Sequence, residues 1–270
     1  MSNPMLRDFG AQKGARPQQG QYEQNGRIYD YAQGAGQTAS ADQLQGMYDQ
    51  AAAGPAQTGR MTMTDVVMRT SMTLGTVIVM AVVGWYVPAL AIPGAIIGLV
   101  LGLVNAFKRE PSPVLIMLYA LAEGLFLGGI SAFFEGAYPG IVVQAVLGTF
   151  SVFAVMLALY TSGKFRPTPR MTKIVMAAML GYLVFMLVNL VLTWTGIGNM
   201  REGGLGLIIG AIAVLLAAYS LTMDFEMAAV GVKNGAPQKY SWSVAFGLTV
   251  TLIWLYVEIL RILSILRSDD

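Results

Sequence analysis

The chain has 270 residues, of which 55% are hydrophobic and 12% charged, with a net charge of +2 and a mean hydropathy of +0.59. Soluble domains carry about 25% charged residues, so this chain cannot cover a water-facing surface, and it has no concentrated basic patch for nucleic acid. Cysteine and histidine are both absent, which excludes disulfides, cysteine- or imidazole-built metal sites, Ser-His or Cys-His catalysis and the usual proton sensor near neutral pH.

Residues 1–60 differ in kind from the rest. The stretch QGQYEQNGRIYDYAQGAGQTASADQ is rich in Gln, Gly, Ala and Tyr and poor in aliphatic residues. It cannot bury enough apolar surface to offset chain entropy, so a disordered polar tail is expected. Its five basic residues (Arg7, Lys13, Arg16, Arg27, Arg60) balance five acidic ones (Asp8, Glu23, Asp30, Asp42, Asp49). The tail lacks the charged start and short apolar core of a cleaved signal peptide. It is either a solvated tether or a docking segment using Tyr22, Tyr29, Tyr31 and Tyr48.

From residue 61 onward, apolar runs follow one another with short polar loops between them. A membrane-spanning helix needs about 20 apolar residues. Seven runs are candidates: 68–90, 92–107, 113–134, 141–162, 172–195, 204–230 and 242–266, the second of them short. Pro88 and Pro93 separate the first two, and Pro111 and Pro113 open the third; proline suits helix boundaries because it lacks the donor a helix interior needs. The expected fold is an all-α, seven-helix membrane bundle over 61–270.

Lysine and arginine in short loops set orientation. With the N-terminus cytoplasmic, the inner side carries ten (Arg60, Arg69, Lys108, Arg109, Lys164, Arg166, Arg170, Lys173, Lys233, Lys239) and the outer side three (Arg201, Arg261, Arg267). That bias predicts N-inside, C-outside. Gly94, Gly98 and Gly102, Gly124 and Gly128, and Gly206 and Gly210 stand at GxxxG spacing. Such glycines let helix backbones approach closely in lipid; packing within one bundle is favoured over a dimer interface.

Ionisable residues inside a span are costly, at about 3 kcal/mol on insertion scales. Four carboxylates stand out: Glu123, Asp224, Glu226 and Glu258, with Glu226 nearer the interface. Arg261 is the one basic residue well inside an apolar run, and it stands at i+3 from Glu258, where the two can pair. Alternatively Arg261 snorkels to the outer interface and Glu258 is neutralised by a proton. Asp224 and Glu258 lie on antiparallel neighbours and could face one another. Residue counting puts Glu258 about two turns deeper, so facing requires part of 238–247 to leave the regular helix. Facing carboxylates in low dielectric would make a proton-sensitive latch and an oxygen site suited to Ca²⁺.

The segments YALAEGLFLGGIS, SLTMDFEMA and LIWLYVEILRILSILRSDD resemble the Bax inhibitor-1/YccA family over residues 61–270, in particular bacterial members with a polar N-terminal extension. The resemblance implies six helices around a central seventh and a pH-sensitive Ca²⁺ leak in the plasma (bacterial inner) membrane. Ca²⁺ is then a permeant ion, and no cofactor is expected. The resemblance places the family's acidic pair at Asp224 and Glu258, the latter replacing an aspartate. It also implies a supporting base near the inner end of the second helix, at Lys108 or Arg109. Some bacterial relatives are associated with a membrane-bound quality-control protease, so a regulatory role is the alternative. A proton-coupled transporter is a third. An enzyme is not expected: the spans hold one aspartate, Asp224, outside any GxGD motif, and no mid-span lysine for retinal.

Overall fold

The computed structural model describes residues 23–24, 27–28, 59–196 and 198–268. Seven helices are long and apolar enough to cross a membrane. They are α1 (Met63–Tyr86), α2 (Ala91–Phe107), α3 (Pro113–Ala137), α4 (Ile141–Thr161), α5 (Pro169–Trp194), α6 (Gly203–Lys233) and α7 (Ser241–Ser268). Single 3-10 turns at Pro88–Leu90 and Gln238–Tyr240 lead into α2 and α7.

Local chemistry sets the helix ends. α1 begins five residues before its expected start because Thr62 and Asp65 form a reciprocal capping box, which satisfies backbone donors at the helix start. Asp65 is thereby a second aspartate within a span; it is 8% exposed and takes a further hydrogen bond from Gln238 Nε2 at 2.7 Å. α1 ends before Pro88, whereas Pro93 lies inside the first turn of α2 and breaks nothing. Pro113 and Pro169 open α3 and α5 at their first positions, where the missing donor is harmless. Between α3 and α4, Gly140 takes φ +83°, a left-handed conformation. Glu135 closes that turn by accepting from Gly140 N at 2.6 Å and Val142 N at 3.1 Å.

α7 is central, as expected. It packs on α1, α3, α4 and α6 and reaches α5 through Trp254, whose ring lies 5.6 Å from that of Tyr182. Four polar side chains along it engage four different helices. Thr249 meets Thr73 of α1 at 2.9 Å, and Thr251 donates to Asp224 of α6 at 2.8 Å. Tyr256 meets Ser131 of α3 at 2.7 Å, and Glu258 accepts from Tyr182 of α5.

The outward faces are apolar. Leu99, Leu180, Leu190, Leu215 and Phe133 are all more than half exposed, which suits hydrocarbon rather than water. Trp85, Tyr86 and Trp194 stand exposed at the ends of α1 and α5, the place where amphipathic rings meet headgroups. The glycine steps pack within the chain: a side chain on Gly94 would strike α3, and one on Gly124 would strike α1.

In the tail, Glu23–Gln24 (β1) pairs antiparallel with Arg27–Ile28 (β2), a short pairing that the sequence reading did not anticipate. Apart from those four residues and Gly59–Arg60, the disorder expected for 1–60 and the tyrosines named there lie outside the described residues. Gly59 to Met61 is stitched to the α6–α7 loop: Gln238 N donates to Gly59 O at 2.8 Å and Met61 N to Ala236 O at 2.7 Å.

Candidate functional site along the last helix

Glu258 is 1% exposed, an expensive place for a carboxylate unless it is paired and hydrogen-bonded. Both of its oxygens are engaged. Arg261 Nη2 lies 2.7 Å from Oε2 and Arg201 Nη2 lies 2.6 Å from Oε1. The Tyr182 hydroxyl donates to Oε1 and itself accepts from Arg201 Nη2 at 3.0 Å. Arg261 therefore pairs and does not snorkel. Its remaining nitrogen, Nη1, caps the carbonyls of Arg201 and Gly206 at 3.1 and 3.3 Å.

Arg201 and Tyr182 were not singled out from sequence. Arg201 belongs to the α5–α6 loop and is folded into the bundle by a small clasp. Asn189, 7% exposed on α5, donates to Asn199 at 3.0 Å and accepts from Met200 N at 2.8 Å. Asn199 in turn accepts from Arg201 N at 3.0 Å. Space for the fold comes from the Gly206–Gly210 step. A side chain at Gly206 would strike the Arg201 carbonyl, and one at Gly210 would stand 2.9 Å from Arg261 Nη2. A spacing that suggested helix packing therefore also seats both arginines.

Asp224 stands elsewhere. Its Oδ2 accepts from Thr251 at 2.8 Å, and Thr251 precedes Glu258 by seven residues, about two turns and 10 Å of helix. The structure does not bring the two carboxylates together. Gln238–Tyr240 do leave the regular helix as a 3-10 turn, but α7 is α-helical from Ser241 onward, and the Asp224 contact still falls about two turns from Glu258, so the two acids make separate contacts. Asp224 forms no salt bridge to a described residue. Its carboxylate fits beside Gly247, where a Cβ would stand 2.7 Å from Oδ1.

Two cavities lie near the Asp224 contact, both toward the ends carrying the α2–α3, α4–α5 and α6–α7 loops, and Asp224 itself lines one of them. One, about 560 Å³, is lined by Asp224 with Pro167, Thr172, Lys173 and Glu226. The other, about 270 Å³, lies across Gly247 and is lined by Asn105 and Lys108. Lys108, and not Arg109, thus borders this region, and both are exposed. Glu226 accepts from the Tyr160 hydroxyl at 2.7 Å. Glu123 packs on the bare Gly98 surface of α2, where an added Cβ would meet Oε1 at 2.6 Å; it joins neither acidic site. Among the described residues no cluster of three or more acidic side chains converges as a metal site would require.

A multi-pass membrane bundle with its polar contacts gathered on a buried last helix is the class of protein so defined. Over residues 3–268 the chain matches the family model described as Bax inhibitor 1 like, and it belongs to that family. The match begins at residue 3, so it takes in the tail that the resemblance had left out. The comparison with curated proteins gave no match.

Proposed function

We propose that the protein is a Ca²⁺-permeable leak of the plasma membrane, N-terminus inside and C-terminus outside, that passes cations by way of Asp224 and is closed at its outer end by Glu258. One observation carries most of the weight. The buried last helix contacts two carboxylates about two turns apart: its own Glu258, bound by two guanidiniums, and Asp224 of α6, bound by the lone hydroxyl of Thr251.

Asp224 has a hard oxygen to offer, no cationic partner among the described residues, and a cavity at its edge. It is the group able to exchange a proton for Ca²⁺, which favours oxygen ligands. The Glu258–Arg201–Arg261 cluster fills the path beyond it. Opening requires Arg201 to leave with its loop, a local displacement of the kind that gates many sites. The cytoplasmic placement of the Asp224 end rests on the loop charges, ten against three.

Ca²⁺ flux into liposomes containing the purified protein, measured at several pH values, tests this. Flux should rise with pH as Asp224 becomes ionised. Asp224→Asn should flatten that dependence, and Arg201→Gln should raise the basal leak. Flux no greater than in empty liposomes at every pH would overturn the proposal.

A second function, regulation of a membrane-bound quality-control protease, has its own support. The exit of the tail is hydrogen-bonded to the α6–α7 loop at Ala236 and Gln238, so a partner pulling on the tail would pull on the inner end of α7. Co-purification with and without residues 1–58 distinguishes it from the leak.

A further inference from the structure

Around Glu258 two guanidiniums face one carboxylate, all largely buried, with side-chain exposures of 12% for Arg201, 15% for Arg261 and 2% for Glu258. One positive charge is therefore left over inside a membrane bundle, where unbalanced charge is costly. Every nitrogen of the Arg261 guanidinium is used. Arg201 differs: only Nη2 is engaged, Nη1 donates to no described residue, and Nε is buried with no acceptor. An unmet buried donor is costly, more so when charged, so the arrangement calls for an anion.

Arg201 lies at the end of a cavity of about 570 Å³ between α3, α5 and α7. α5 packs on α6 and hardly elsewhere, which leaves this gap beside α3. Its walls include Phe133, Leu190 and Ile265, and Phe133 and Leu190 are 72% and 65% exposed, at positions that face lipid. Glu202 also borders it, but its carboxylate is turned to Asn199 Nδ2 at 3.0 Å and is exposed. The cavity is thus apolar where Phe133 and Leu190 meet the bilayer and polar around Arg201, where Asn189, Asn199, Arg261 and Ser264 also line it, and the two parts match the two halves of one molecule.

We propose that this groove holds an anionic phospholipid from the outer leaflet, its phosphate on Nη1 of Arg201 and an acyl chain along α3 and α5. The inference does not rest on cation conduction and stands even if the protein carries no Ca²⁺, although a lipid held on Arg201 would also bear on the displacement of its loop.

Native mass spectrometry of the full chain in non-ionic detergent, titrated with phosphatidylglycerol or phosphatidylcholine of matched chains, tests it. Phosphatidylglycerol should bind about fivefold tighter, the equivalent of about 1 kcal/mol from one basic side chain at an anionic headgroup. Leu190→Trp, which fills the groove from its lipid side, should abolish the bound lipid without lowering the unfolding temperature. Arg201→Lys should keep most of the preference and Arg201→Gln should erase it. Equal binding of the two lipids, or binding unchanged by Leu190→Trp, would overturn the proposal, as would displacement of the lipid by millimolar inorganic phosphate, which would mark a free-anion site. Should Arg201→Gln fail to fold, Leu190→Trp and Arg201→Lys still decide.

Discussion

The two acids beside and on α7 are both carboxylates within the same bundle, and the protein treats them oppositely. Glu258 has two arginines and a tyrosine, whereas Asp224 has one threonine hydroxyl and a cavity at its side. A carboxylate bound on both oxygens stays paired until its partners move. One with a free oxygen and an opening remains available to a proton or a cation. The contrast teaches that a costly residue in a span marks a site without telling which kind, and that its partners decide.

Glu258→Gln should be the most damaging way to probe that contrast. It leaves two buried guanidiniums without a counter-charge, and breaking a buried pair costs about 3–5 kcal/mol. Asp224→Asn keeps an oxygen for Thr251 and should cost under about 1 kcal/mol. Unfolding in mixed micelles would measure both, and equal losses would erase the distinction. Gly210→Val, which forces a side chain against Ile262 and Arg261, should cost about 1–3 kcal/mol as overpacking does. Thr251→Val should cost only about 0.6 kcal/mol, the mean for a hydrogen bond between membrane helices, yet should change the pH profile of flux by releasing Asp224. A profile identical to that of the parent would separate Asp224 from the titration.

The seven helices were legible because apolar length and proline positions are local properties of the chain. The acids were legible because charge within a span is rare, and the i,i+3 pairing of Glu258 with Arg261 follows from helix geometry. The distance of about two turns between Asp224 and Glu258 is also countable from the sequence and argues against their facing. Arg201 and Tyr182 escaped because they come from a loop and another helix. Loop arginines count toward orientation, and nothing local says that this one folds inward. One signal was present: Asn189, a polar amide within LVNLVL, which in lipid must find a partner, and it finds the loop that carries Arg201.

Thr249, Thr251, Tyr256 and Glu258 each bond a different neighbouring helix within ten residues of α7. Turning that helix by one residue position, about 100°, would unmake all four together. Packed interfaces of this kind hold discrete arrangements and do not deform continuously. α7 should therefore behave as a keyed shaft, seated or unseated, and single-molecule records of the protein should show sharp two-level transitions with no graded drift between them.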